Sequence, residues 1–122
     1  MPPIRSVFPE REVVDASITF DSQGILYAAC TVGETIARDV KSFGHPSREV
    51  VLLTSADKGK HFHVCPISKK DSKKPNWHPS IERPFSSEPL DHIPALLYTH
   101  GGPGVGCRGG PATEVVFVRL GK

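Results

Sequence analysis

EVVLLTSADKGKHFHVCPI, running from Glu49 to Ile67, carries the strongest fold signal in the chain. Val50, Val51, Leu52 and Leu53 form an apolar run dense in β-formers, and His63-Val64-Cys65-Pro66-Ile67 is a second, shorter one. Between them Ser55-Ala56-Asp57-Lys58-Gly59-Lys60-His61-Phe62 is polar and contains a glycine. Two strand-like runs around such a segment predict a β-hairpin. The turn has a mechanism. An aspartate side chain is short enough to fold its carboxylate back onto following backbone N–H groups, and glycine takes a positive φ without steric cost. Asp57 and Gly59 are assigned those two roles. Ser55 is placed on the far side of the turn, and Phe62 is expected to close it by inserting between sheets.

The rest of the chain speaks the same language. Its 122 residues suffice for one ordinary domain with a core of its own. With 12 Pro and 11 Gly, nearly a fifth of the chain is turn-forming, which suits many short strands better than helices. No window repeats apolar residues at helical spacing, so an all-β fold is expected. A net charge of +2 gives no electrostatic reason to invoke nucleic acid or a membrane surface. Lys69-Lys70-Asp71-Ser72-Lys73-Lys74, the one basic run, reads as a solvated linker.

Cys30, Cys65 and Cys107 are an odd number without short metal-ligand spacing. Cys30 and Cys65 lie in apolar strand patterns and are expected to act as buried small hydrophobes; Cys107, in a glycine-rich loop, is expected to be the exposed one. The start, Met1-Pro2-Pro3-Ile4-Arg5, lacks the apolar segment of a signal peptide, and no run reaches transmembrane length. Localisation is left unassigned on these grounds.

In chain order, residues 1 to 15 read as an irregular lead-in in which Val13-Val14 end as a short edge strand. Ile18-Thr19-Phe20 and Ile25 to Cys30 flank Asp21-Ser22-Gln23-Gly24, a second hairpin signal. Residues 33 to 48 read as a long loop with at most one helical turn near Glu34 to Val40. The first unit thus spans 16–68 and the linker 69–76. Over 77–122 the pattern begins again, with Trp77 to Pro84, Pro94 to Thr99 and Thr113 to Leu120 as strands around a glycine-rich loop.

The octet from Ser55 to Phe62 resembles the Asp-box of BNR-repeat proteins, the sialidase-like β-propellers, whose pattern is Ser-x-Asp-x-Gly-x-Thr-Trp. Ser55, Asp57 and Gly59 match; Phe62 stands in place of Trp and His61 in place of Thr. Phe20 to Ala29, FDSQGILYAA, is similar to the Asp-x-x-Gly-x-Leu-Tyr hairpin joining the first two strands of a blade in that family. The resemblance implies antiparallel four-stranded sheets of β-propeller type, here an incomplete propeller of about two blades. It places the box between the third and fourth strands of the first blade, as a folding device remote from any substrate. It also implies a glycan as partner, and a secreted or periplasmic setting if the chain belongs to a longer protein. Two blades cannot close a ring, because propellers need about four to eight. A longer chain, a homotrimer completing six blades, or an open two-sheet sandwich are the arrangements that follow, in that order.

The family's chemistry would sit at the central mouth, where arginines bind a carboxylate and acidic or tyrosyl residues act at the glycosidic carbon. Glu82 and Arg83 are the candidate catalytic pair, Arg83 to grip a carboxylate and Glu82 as acid or base. Adjacent strand residues point to opposite faces, which sets these two against a shared site. Tyr98 is a nucleophile by family analogy, but Tyr27 at a similar place in the first unit favours a simple strand aromatic. His100-Gly101-Gly102-Pro103-Gly104 is similar to the oxyanion loop of proline iminopeptidases, yet no Gly-x-Ser-x-Gly elbow exists anywhere in the chain. His61 and His63 alternate on one strand face, but no third ligand is spaced to join them, so no metal is expected. Phosphate loops, dinucleotide fingerprints and EF-hand loops are absent, so no cofactor is expected either. The sequence supports a non-catalytic blade pair over an exo-sialidase active only in a completed propeller.

Overall fold

A computed structural model describes residues 7–8, 11–33, 48–69, 76–101 and 114–121. Seven strands follow one another: β1 (Glu12–Phe20), β2 (Leu26–Gly33), β3 (Glu49–Ser55), β4 (His63–Pro66), β5 (Asn76–Ile81), β6 (Ala95–His100) and β7 (Glu114–Arg119). Among the described residues there is no α-helix. The strands form two antiparallel sheets, one of four in the order β1-β2-β3-β4 and one of three in the order β5-β6-β7. The expected helical turn near residues 34–40, most of the Lys-rich run, the glycine-rich loop and Cys107 lie outside the described residues.

The apolar runs of β2 and β3 become strands buried on both faces, which is why they lack polar alternation. On β2 and β3, Tyr27, Ala29, Val50 and Leu52 face the second sheet, where they meet Ile81, Leu96 and Tyr98. Ala28, Cys30, Val32, Val51 and Leu53 point the other way, and Val7, Phe8, Val13 and Phe62 pack over them. The sheets join through β5, which packs against β1, β2 and β3. Ser17 of β1 lies on the inter-sheet face, 7% exposed, and its Oγ accepts the Ile81 N–H at 3.2 Å. A hydroxyl from one sheet thus satisfies a backbone donor of the other.

Several expectations need correcting. Val13 and Val14 do lie on an edge strand, but β1 begins at Glu12 and runs on to Phe20, so they pair with Val32 and Thr31 within the first sheet and do not close a separate lead-in. Asn76 belongs to β5, not to the linker. Phe62 is half-buried and covers the outer face of the four-stranded sheet; it does not insert between the two sheets. Register explains this: Val64 pairs with Leu53 and shares its face, and Phe62, two residues earlier, falls on the same side. Cys65 pairs with Leu52 on edge strand β4, whose residues are all exposed, so it is not a buried thiol. Cys30 is buried, and burial pushes its thiol up to about 11.

Both sheets carry the same irregularity in their first strand. In β1 the register shifts between Val14, opposite Thr31, and Ser17, opposite Ala29. In β5 it shifts between Trp77, opposite Thr99, and Ser80, opposite Leu97. Each shift puts two residues against one, a β-bulge, and the first bulged residue has positive φ: 53° at Asp15 and 52° at His78. Asp and His are among the non-glycine residues that best tolerate this region. Superposing the bulges aligns Ser17-Ile18 with Ser80-Ile81 and sets Cys30, not Tyr27, in the place of Tyr98.

Candidate functional site

The two turns of the four-stranded sheet lie at one end of it, because Leu26 and Ser55 pair. In the first, Asp21 is 7% exposed; its Oδ1 accepts the N–H groups of Gln23 and Ile25, both at 3.0 Å, and its Oδ2 accepts the Tyr27 hydroxyl at 2.8 Å. Gly24, at φ 82°, lets the chain return. In the second, Lys58 and Gly59 have φ of 61° and 84°, the signature of a type I′ turn, closed by Lys60 N–H on the Asp57 carbonyl. Ser55 Oγ donates to Asp57 Oδ1 at 2.8 Å and accepts the Gly59 N–H at 2.8 Å. Asp57 Oδ1 also accepts the His61 N–H at 2.9 Å, and its Oδ2 meets His61 Nδ1 at 2.6 Å. These contacts commit Ser55, Asp57 and Gly59 to the turn itself. His61 lies in the turn and not on β4, so it does not alternate with His63 on a strand face. An open hollow of about 380 Å³ flanks this turn, lined by Thr54, Ala56, Asp57, His61, Phe62 and His63.

The His61 backbone N–H, then the His61 ring and Ser55, hold the Asp57 carboxyl far below the usual aspartate range. A depressed folded-state value means that Asp57 stabilises the fold above the ordinary value near 3.8, and that this contribution is lost as pH falls below it. Wild type should therefore lose stability through the acid range faster than Asp57→Asn. Parallel stability–pH curves for the two proteins, measured by urea unfolding, would show that Asp57 is not the group responsible.

Glu82 and Arg83 are not brought together as a catalytic pair. β5 ends at Ile81, so both residues lie beyond the strand they were expected to occupy. Glu82 Oε2 accepts the Ala95 N–H at 3.1 Å and Oε1 meets His92 Nε2 at 2.9 Å, which clasps the β5–β6 loop. The Ala95 N–H first, and His92 second, hold the Glu82 carboxyl below its usual range, the wrong direction for a general acid. His92 is raised in turn, by Asp91 and then by Glu82. Arg83 is exposed, and among the described residues no carboxylate pairs with it. Tyr98 is 9% exposed in the inter-sheet core, where burial raises its hydroxyl and makes it a poor nucleophile. Among the described residues no three His, Cys, Asp or Glu side chains converge as a metal site requires.

A different cluster gathers at the paired bulges. Asp15 Oδ2 stands 3.4 Å from His78 Nδ1, bridging the first strands of the two sheets, with both side chains partly exposed. The His78 ring stacks on half-buried Trp77, centroids 5.5 Å apart and planes at 27°. The guanidinium of Arg48 lies over the same indole at 5.6 Å. Arg48 is 3% exposed and packs closely on Gly33: a Cβ there would meet its Cδ at 2.7 Å, so a larger residue would have to displace the arginine side chain. The main-chain carbonyl of Arg48 accepts both the N–H and the Nδ2 of Asn76, itself buried, whose Oδ1 binds His100 Nδ1 at 2.8 Å. Carboxylate, imidazole, indole and guanidinium thus form one row across the junction of the sheets.

Sequence reasoning missed this row. Its only trace is the dipeptide Ser-Ile recurring at residues 17 and 80, each time two places after a residue that tolerates positive φ. No protein-family model matches the chain, and neither the curated proteins nor the solved structures contain a significant match to it.

Proposed function

We propose that the chain is a non-catalytic, glycan-binding pair of blades of sialidase-like β-propeller type. The up-and-down strand order in both sheets, the shared bulge and the Ser55–Phe62 turn all favour that architecture over a plain sandwich. The observation that carries the functional reading is the row Arg48, Trp77, His78 and Asp15. A blade's first strand is its innermost, so β1 and β5 would turn this row toward the axis. A carboxylate and an imidazole offer hydrogen bonds to sugar hydroxyls, and an indole offers an apolar surface to a pyranose ring. The tyrosyl route to hydrolysis needs an accessible tyrosine, which buried Tyr98 is not, and the paired-carboxylate route needs a second carboxylate across a cleft, about 5 to 10 Å away. Glu82, tied to Ala95 and His92, does not supply it.

Calorimetric titration with sialosides and neutral hexosides should detect binding without turnover. Trp77→Ala should weaken it about tenfold, the equivalent of one contact of about 1.4 kcal/mol. Cleavage of a fluorogenic sialoside by the chain, abolished by Arg83→Ala, would instead establish the exo-sialidase reading. Binding unaffected by both Trp77→Ala and Asp15→Asn would place any glycan site elsewhere.

A further inference from the structure

An open sheet ends in two edge strands, each presenting a row of backbone N–H and C=O groups that a further strand can pair with. The edge strands here are β1 and β4 in the first sheet, β5 and β7 in the second. Three of them carry features that hinder such pairing. β1 is broken by the bulge at Asp15, and β5 by the bulge at His78 and by Pro79. β4 is only four residues long and ends in Pro66. β7 has no such feature. Its six residues, EVVFVR, include no Pro, Gly or Lys, and they pair with β6 without a break from Arg119 opposite Ala95 to Glu114 opposite His100.

The bulge alignment makes β5, β6 and β7 the counterparts of β1, β2 and β3. Ser17 faces the second sheet and Ile81 faces the first, while Ser80, the counterpart of Ser17, is exposed on the far side. The two sheets therefore stack in one sense, and β7 corresponds to β3. Beyond β3 lies β4, whereas among the described residues no strand lies beyond β7. The missing neighbour shows in the side chains. Val115 is 71% and Phe117 57% exposed on one face of β7. Val116 and Val118, on the other face, reach the inter-sheet core and still remain only half-buried.

We propose that the free edge of β7 pairs with β7 of a second copy, antiparallel about a two-fold axis, joining two three-stranded sheets into one of six strands. Charge sets the direction. β7 runs from Glu114 to Arg119, so antiparallel strands lay acidic ends beside basic ones, whereas parallel strands in register would set like charge on like. A two-fold axis through the sheet keeps each face continuous, and apolar side chains meet across the junction on both. With the axis at Val116 or at Phe117, Phe117 meets Val115 or Phe117 of the second copy, and Val116 meets Val116 or Val118. Both copies use the same surface, so the contact stops at two chains. The row at Trp77 and His78 lies on β5, at the opposite edge of the sheet, so the inference does not depend on the glycan reading.

Sedimentation of the 13.3 kDa chain, with amide exchange beside it, tests the pairing. Wild type should pass from one to two chains as concentration rises. Alternate amides of β7, those pointing away from β6, should gain protection over the same range. Phe117→Lys and Phe117→Glu each place a charge on a residue exposed in the single chain, so both should fold with unchanged circular dichroism. Each should weaken association by about tenfold, because like charges then approach across the junction. An equimolar mixture of the two should associate again. Leu97→Lys changes the same face of the sheet but on β6, away from the edge, and should associate like wild type. Loss of association in Leu97→Lys would indicate docking of sheet faces and overturn the proposal. So would β7 amides indifferent to concentration, or a wild type that stays a single chain to its solubility limit, even if an added foreign peptide then occupied β7.

Discussion

Leu96→Ala should cost about 3 to 5 kcal/mol of folding stability, while the same truncation one residue later should cost less than about 1 kcal/mol. Leu96 is fully buried between the sheets, among Tyr27, Ala29, Val50, Leu52, Ile81 and Tyr98. Both walls of that space are hydrogen-bonded ladders, which cannot collapse far into a cavity, so the upper part of the leucine-truncation range applies. Leu97 points to the other side of β6 and is 42% exposed. Denaturant unfolding, followed through the single Trp77, reads both variants. Equal losses would mean that the register of β6, and with it the inter-sheet core, is wrong.

The second large effect is expected at Asp21. Asp21→Ala removes the acceptor for two backbone N–H groups and the Tyr27 hydroxyl together, and leaves that hydroxyl buried without a partner. A loss of about 3 kcal/mol follows, since each buried unpaired donor costs about 1 to 3 kcal/mol and part of the site rehydrates. Tyr27→Phe should cost less, and the double variant should fall short of the sum, because the two side chains share one bond. An additive pair of losses would dissolve the link between them. The same contact sets an alkaline limit. Burial first, and Asp21 second, push the Tyr27 hydroxyl up to about 12 from its usual 10.0. With the folded-state value raised, this stabilisation is complete below pH 10 and is lost as pH rises from 10 toward 12.

Much of the first sheet was legible in the sequence. Asp21-Ser22-Gln23-Gly24 and Asp57-Lys58-Gly59 announce turns because Asp and Gly solve a local problem, and local chemistry survives without knowledge of the tertiary structure. That Val50 to Leu53 form a strand followed from their continuous run of apolar β-formers; its burial on both faces emerged only with the second sheet and the cover over the first. What escaped depends on distant partners. Nothing near Phe62 specifies which side of the sheet it covers; the pairing of Thr54 with His63 does. Glu82 looks like a site residue in isolation and becomes a loop clasp only when His92 and Ala95 arrive from ten and 13 residues away. The Asp15–His78 contact joins strands from opposite halves of the chain, and only the backbone at the two bulges identifies them as equivalent.

That equivalence also governs how cohesion is distributed through the molecule. Sheets stacked in one sense behave as a short one-dimensional array, in which each member is held by its own ladder and by its neighbours. The four-stranded sheet has four ladder members, a neighbour on one side and a partial cover on the other. The three-stranded sheet has a single neighbour, and its last strand, β7, alternates between exposed and half-buried residues. Opening should therefore begin at β7 and travel inward. Amide exchange protection would form a gradient from Val115 back to Val51, so the molecule would loosen from its open end before it unfolds as a whole.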